Sequence, residues 1–536
     1  MHSLFFQYIF LILIILSLVM VASKIRIAYP IILVIGGLAL SFTSAFSAIT
    51  IDPDLVFFIF LPPLLYEAAW QTSWKEFWKW RRVITSFAFP IVILTSCVIA
   101  FFSSAIVPGF TLALGFLLGG IISPPDAVSA TTIMRQVKAP KSLVSIIEGE
   151  SLLNDASSLI VVRFALAAIL TGQFHFWEAT TNFFLVIIMG ALIGLAVGFI
   201  IYAIHRWLLT TTSIEIVLTL VTPYCMYYAA EYFHFSGVLA VVTGGLFLSN
   251  KRQSTLTYKS RIQGVNVWTN FVFVLNGLVF LLIGLQLPTI TGQLGDIGLV
   301  TATAYGLLIS LLLIVTRFLC TFGAGLFTRL MSRFIKLSNP NPGWKAPMVA
   351  GWAGMRGVVS LAAALSIPLL TPEGEPFPNR NLILFITFIV ILVTLLLQGS
   401  TLPWLIRKIK LEDADGTVPE HKQEAIIQKK IAQYSLKFLE EHALKHSGKN
   451  DHFDNLRARL KIDFELLSKK IAEENATGSP MTEFQHLYLG LLEEQRNLLI
   501  DMNQRTEFDE DVIRKYLALI DLEEFKIREK IILEEI

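Results

Sequence analysis

Ser151 and Asp155 stand four residues apart in Glu148-Gly149-Glu150-Ser151-Leu152-Leu153-Asn154-Asp155, so a helix sets both on one face. Their oxygens could meet on one hard cation, for which oxygen donors are suited. The segment that follows, 156–170, is apolar or small apart from Ser157, Ser158 and Arg163. A carboxylate at the mouth or middle of such a stretch is costly in a bilayer. It persists only if it is protonated, paired, or holding a cation. Burial disfavours the charged form and a bound cation favours it, so Asp155 could trade a proton for a cation. The competing reading is a polar helix cap, because Ser, Asn and Asp are cap residues.

Three more acids and three cations need an account. Residues 1–406 hold 14 Asp and Glu, of which Asp52, Asp54, Glu76, Glu178, Asp296, Glu373 and Glu375 read as loop residues. Asp126 follows Pro124-Pro125. Proline lacks an N–H and clashes with the preceding turn. The freed backbone groups are tolerable in lipid only against a cavity or a partner. Asp126 therefore either caps the second half of a broken helix or joins a cation site. Glu67, in Leu61-Pro62-Pro63-Leu64-Leu65-Tyr66-Glu67, either joins that site or anchors a membrane face, since Trp70, Trp74 and Trp78 mark an interface just beyond it. Glu150 needs a cation, and Arg317, deep in Leu313-Ile314-Val315-Thr316-Arg317, is the candidate. Arg356, in Gly354-Met355-Arg356-Gly357, could balance Asp126 or half-helix carbonyls. Arg163, two turns beyond Asp155, is either a partner or a residue of the outer mouth. Glu215 and Glu231 read as helix-end residues without a role.

The elements that position these groups are helices in a membrane. Of 536 residues, 54% are hydrophobic and 16% charged, against about 25% charged in soluble proteins. Residues 1–406 carry a net charge of +8 and residues 407–536 a net of −6, which separates a transmembrane domain from a charged, helix-patterned C-terminal domain. In the latter, Phe484, Leu487 and Leu491 keep helical spacing, and Gly448, Gly478-Ser479-Pro480 and the stretch 501–510 read as breaks. Cys97, Cys225 and Cys320 lie in apolar runs and read as packing residues. The first apolar run has no basic stretch before it and reads as a retained span, not a cleaved signal.

Thirteen apolar segments are long enough to span, near 4–22, 26–42, 53–70, 82–104, 110–136, 142–171, 179–204, 213–233, 236–250, 264–287, 297–328, 345–370 and 381–406. The fifth is broken by Pro124-Pro125 and the twelfth loosened by Gly351, Gly354 and Gly357. These two are seven apart in order, so repeats on either side of the seventh segment would have opposite orientation, the plan of many secondary transporters. Basic residues cluster after the odd segments: Lys24 and Arg26, then Lys75, Lys79, Arg81 and Arg82, then Arg135, Lys138 and Lys141. Arg206, the group Lys251, Arg252, Lys259 and Arg261, the group Arg329, Arg333, Lys336 and Lys345, and finally Arg407, Lys408 and Lys410 continue the series, with Arg380 the exception. By the positive-inside rule the N-terminus lies outside and the C-terminus in the cytoplasm.

At these residues the chain resembles a sodium/proton exchanger of the monovalent cation:proton antiporter-1 family, which contains the bacterial NhaP-type antiporters and the animal plasma-membrane exchangers. Residues 148–155 resemble the family's Gly-Glu-Ser-Leu-Leu-Asn-Asp signature, Leu61–Ala68 its third-helix motif, and Gly354-Met355-Arg356-Gly357 the Arg-Gly motif of its broken helix. The resemblance implies thirteen helices, with a dimerisation part and a mobile core. It implies Asp155 as the exchanged-ion carboxylate for sodium, with Ser151, Glu67 and Asp126 nearby, and Glu150 with Arg317 as a structural pair. It also implies electroneutral exchange, because Asn154 stands where electrogenic relatives have Asp. The family commonly has Thr-Asp-Pro at the first break, and here the residues are Pro125-Asp126-Ala127. A backbone carbonyl ligand at Pro125 survives that change, but a hydroxyl ligand does not.

The expected protein is an all-α polytopic antiporter, not an enzyme, exchanging one sodium ion for one proton at a midplane carboxylate and serving pH homeostasis. Potassium or a broad range of monovalent cations is the alternative substrate. A cation channel is the rival from another class, and an intramembrane hydrolase using Asp126 and Asp155 as an aspartyl pair is a third reading. No organic cofactor and no nucleic-acid partner are expected; sodium and protons are substrates. The expected setting is the lipid bilayer of a bacterial-type plasma membrane, with the chain as a homodimer.

Overall fold

The computed structural model describes residues 2–25, 29–43, 53–172, 176–208, 211–292, 294, 297–331, 343–411, 420–443, 455–458, 460–461, 480–503 and 510–535. Arg26, Asp52, Asp296, Arg333, Lys336, Gly448, Gly478, Ser479 and residues 504–509 lie outside these. The chain divides into two compact units, Met1–Asp415 and Gly416–Ile536. Among the described residues all regular structure is helical, and one isolated bridge pairs Leu370 with Pro376.

The first unit begins with α1 (His2–Ile25), α2 (Tyr29–Ser41) and α3 (Pro53–Gln71). Next come α4 (Trp74–Ile106), α5 (Leu112–Ile122), α6 (Ala127–Gln136) and α7 (Lys141–Thr171). Then follow α8 (Phe176–Trp207), α9 (Thr212–Tyr232), α10 (Gly237–Thr255), α11 (Tyr258–Gly292) and α12 (Leu299–Met331). The last three are α13 (Lys345–Trp352), α14 (Val358–Leu365) and α15 (Arg380–Ile409). Among the described residues seven helices are long and apolar enough to cross a membrane: α4, α7, α8, α9, α11, α12 and α15. Shorter apolar helices lie within α1, α2 and α5.

One feature departs from the sequence reading and a second goes beyond it. Lys75, Lys79, Arg81 and Arg82 lie in helix, not in a loop, because Phe77, Trp80 and Ile84 recur at helical spacing and bury one face. And α4 passes Pro90 through a π-turn at Phe87–Ile91, a widening that absorbs the donor proline lacks. In α3 the same deficit is met from outside. Pro63 cannot donate to the Ile59 carbonyl, and the Tyr224 hydroxyl of α9 donates to it at 3.2 Å.

Between lipid-embedded helices no hydrophobic force drives contact, so close backbone approach through small residues takes over. Gly190, Gly194 and Gly198 form such a stripe on α8 and meet Ser236, Ala240 and Gly244 at the α10 side. Gly37 of α2 and Gly284 of α11 do the same.

In the second unit, α16 (Glu420–Ala443) is followed by α17 (Pro480–Asn503), which packs on α18 (Glu510–Glu535). Arg496 of α17 bonds Asp521 at 2.9 Å and also bonds Glu524. Arg496 and Arg528 hold the Glu524 carboxyl below its ordinary range. That contact is present at neutral pH and is lost as pH falls through the lowered range.

A side chain at Gly194 would collide with the Ala240 carbonyl, whereas Gly264 has open space around it. Gly194→Val is expected to cost about 1–3 kcal/mol through overpacking and to lower the melting temperature in detergent. Gly264→Ala should leave that temperature unchanged or raise it, so equal melting of both variants would contradict the α8–α10 packing.

Candidate ion-exchange site

Two broken helices meet. Helix α5 stops at Ile122 and α6 starts at Ala127, while α13 stops at Trp352 and α14 starts at Val358. The Asp126 amide donates to the Met355 carbonyl at 2.7 Å, joining one break to the other. Pro124 and Pro125 cannot serve the carbonyls four residues back. The Ser158 hydroxyl of α7 donates to the first of these, on Gly120, at 2.6 Å. Arg356, buried to 1% exposure, donates from Nε to the Ile122 carbonyl at 2.8 Å and from Nη2 to the Ser123 carbonyl at 2.9 Å. Its Nη1 reaches the Gly354 carbonyl. A guanidinium thus sits at the negative end of α5, where the helix dipole favours a cation.

An anion occupies the opposite ends. Ser129 Oγ donates to Asp126 Oδ2 at 3.4 Å in the first turn of α6. A Cβ at Gly357, the residue before α14, would collide with the same carboxylate. Asp126 therefore faces the starts of both α6 and α14. The Ala127 amide at the head of α6 donates to Ser151 Oγ at 3.2 Å.

Helix α7 lies across this junction. Asn154 Nδ2 donates to the Pro125 carbonyl at 3.0 Å, occupying one of the two lone pairs on that oxygen. Asn154 Oδ1 is buried with no hydrogen-bond partner among the described residues. One residue on, Asp155 is 6% exposed and, among the described residues, its carboxylate has no hydrogen-bond or ion-pair partner. The charge that bears on it is that of Asp126. Among the described residues no three His, Cys, Asp or Glu side chains converge as a resident metal site would require.

Nearby charges are arranged in pairs. Arg317 of α12 grips both Glu150 carboxylate oxygens, Nη2 to Oε2 at 2.8 Å, and both side chains are buried. Arg163 does not turn back toward Asp155; it bonds Glu231 of α9 at 2.6 Å, and Glu231 also accepts the Gly237 amide at the head of α10, 3.1 Å away. Glu67 is half-buried, accepts from Gln71, and feels the charges of Arg135 and Glu148, which pair with each other at 2.5 Å. Glu215 accepts from the Thr257 amide at 3.2 Å.

Known proteins share this architecture. The family profile described as "Sodium/hydrogen exchanger, transmembrane" matches residues 9–408. The chain belongs to the sodium/hydrogen exchanger family. It is a transmembrane antiporter of the sodium/proton-exchange class, not an enzyme. A sodium, potassium, lithium and rubidium/H+ antiporter of Bacillus pumilus is 36% identical over 385 residues, 70% of this chain. This chain spans 57% of that relative's length. The low-affinity Na+/H+ antiporter NhaS1 of Synechocystis is 31% identical over 83% of this chain and 80% of that protein. The solved sodium proton antiporter MjNhaP1 of Methanocaldococcus jannaschii, at pH 8, superposes with a TM-score of 0.59 and 19% identity, covering 76% of this chain and all of that one.

In the exchanger, sequence reasoning missed Ser158, Ser157, Thr394 and Glu231. Ser157 donates to the Ala88 carbonyl in the α4 π-turn at 2.5 Å, and Thr394 Oγ1 accepts the Arg356 amide at 3.1 Å from a second π-turn, Thr394–Gln398. The one signal for Ser158 was a carbonyl four residues before a proline in another segment. Breaking a buried ion pair from one side strands a charge at a cost of about 3–5 kcal/mol. Glu150→Gln is therefore expected to lower the melting temperature sharply, and adding Arg317→Met should recover most of the loss. A double variant no more stable than the single one would show that the pair does not act as a unit.

Proposed function

We propose that this exchanger moves one monovalent cation against one proton, with Asp155 binding either in turn by alternating access. The observation that carries the reading is the Asp155 carboxylate, enclosed beside two interrupted helices with no hydrogen-bond or ion-pair partner among the described residues. Its neighbours Ser151 and Asn154 do not ionise and spend hydrogen bonds on the breaks, so Asp155 is the group of this motif that can titrate at the junction. One carboxylate that takes either one cation or one proton gives electroneutral exchange. In this reading Asp126 and Arg356 hold the half-helix ends, Glu150 and Arg317 brace the core, and Glu67 with Arg135 and Glu148 belongs to the approach path.

Sodium is the proposed cation on the strength of the family, with a broader monovalent range as the second reading. The Bacillus pumilus relative is named for four alkali cations, and Pro125 offers a carbonyl but no hydroxyl. The proposed architecture is thirteen spans in two inverted repeats, N-terminus outside and C-terminus in the cytoplasm of a plasma membrane, in a homodimer. Residues 1–406 form the exchanger domain and 407–536 a cytoplasmic helical domain.

Proton movement in reconstituted vesicles driven by sodium, potassium or lithium tests this. Asp155→Asn should abolish exchange while keeping the melting behaviour of the native chain, and an active Asp155→Asn removes the assignment. Exchange by the native chain should be indifferent to an imposed membrane potential; a rate that tracks the potential rules out one-for-one stoichiometry. Pro125→Thr is expected to narrow the range of cations accepted, read as the ratio of sodium- to potassium-driven rates.

A further inference from the structure

The opening of α4 does not fit inside a bilayer's apolar layer. At 33 residues the helix is about 50 Å long, against a hydrocarbon thickness of about 30 Å. Its first 13 residues, Trp74–Ser86, are a different kind of helix from the rest. Three stripes run along it. Phe77, Trp80 and Ile84 are buried against the protein. Trp74, Trp78 and Arg81 form a second row, in which the two indoles stack with centroids 5.7 Å apart and the Arg81 guanidinium lies 4.5 Å from the Trp78 ring. Lys75, Lys79 and Arg82 form a third, and Glu76 is the lone acid among these four cations. Trp78 is 53% exposed and Trp74 38%. Indole rings favour the headgroup level, and cations there attract anionic lipid.

We propose that Trp74–Ser86 docks the headgroup of an anionic phospholipid, its phosphate among Lys75, Lys79, Arg81 and Arg82 and its glycerol region against Trp74 and Trp78. The charge complementarity favours a lipid over a protein partner, because the same helix runs straight on into a membrane span. The buried stripe ties the docked lipid to the ion site. Ile84 sits so close over Gly149 of α7 that a Cβ there would strike its side chain. The Phe87 ring lies 5.9 Å from the Arg317 guanidinium, and the Ala88 carbonyl takes the Ser157 hydroxyl, two residues past Asp155. Lipid bound on one face of the helix thereby bears on α7 from the other.

Native mass spectrometry of the full chain, released from micelles holding equal phosphatidylglycerol and phosphatidylcholine, tests the proposal. The native chain should retain phosphatidylglycerol in preference. The variant with Lys75→Gln, Lys79→Gln, Arg81→Gln and Arg82→Gln should lose at least threefold of that preference. The double variant Lys75→Gln with Arg82→Gln, which alters only exposed side chains, should lose part of it if the fourfold variant fails to fold. Lys251→Gln with Arg252→Gln, on another basic cluster, should keep it. Equal retention of both lipids, an unchanged preference in the Gln variants, an equal loss in the Lys251/Arg252 control, or displacement of the lipid by inorganic phosphate would each overturn the proposal. Retention is read without transport. A chain that keeps the preference but exchanges nothing would count against the exchange reading and leave this one standing.

Discussion

Two adjacent prolines between α5 and α6 remove two backbone donors in the interior of a membrane protein, and much of the site answers that deficit. The Gly120 carbonyl is met by Ser158 and the next exposed carbonyls by Arg356, which is held in turn by Thr394. The Asp126 amide is met by the Met355 carbonyl of the second break. Neither interrupted helix satisfies itself: the first is completed by the second and by α7, and the second by the first and by Thr394. The arrangement gives short helices whose ends point into the protein and meet side-chain and backbone partners at Gly120, Ile122, Ser123 and Pro125.

The same arrangement settles the charges. Arg356 lies at carbonyl ends, Asp126 at amide ends, and Glu150 and Arg317 neutralise each other. Arg163 is committed to Glu231. What remains is Asp155, next to the break but without a cation of its own among the described residues. In the proposed mechanism this leftover charge is the one that exchanges, since a permanently paired carboxylate would have no reason to change its counter-ion. Asn154 adds a buried oxygen, Oδ1, with no donor among the described residues.

Much of this was legible from the chain. Long apolar runs announce helices because lipid tolerates little else, and Pro124-Pro125 marks a break by simple arithmetic of donors. Asp155 stood out because it is an acid in an apolar segment. The partners were not legible. Ser158 meets Gly120 across 38 residues and Arg356 meets Ile122 across 234, and no local pattern announces a contact that distant. The start of α4 was misread because its four cations resemble a loop, and only the buried faces of Phe77, Trp80 and Ile84 reveal the helix. Glu231 was passed over as a helix-end acid, and its pairing with Arg163 depends on how α7 and α9 are set side by side.

The bond from Ser158 to Gly120 has an implication for inheritance. An ordinary residue at 124 would bring its own amide to the Gly120 oxygen and make the serine hydroxyl redundant; an alanine at 158 beside the present proline would leave that oxygen stranded. The two positions, one in the break after α5 and one in α7, are therefore expected to change hands together as the lineage diverges, with the serine tolerating loss only after the proline has gone.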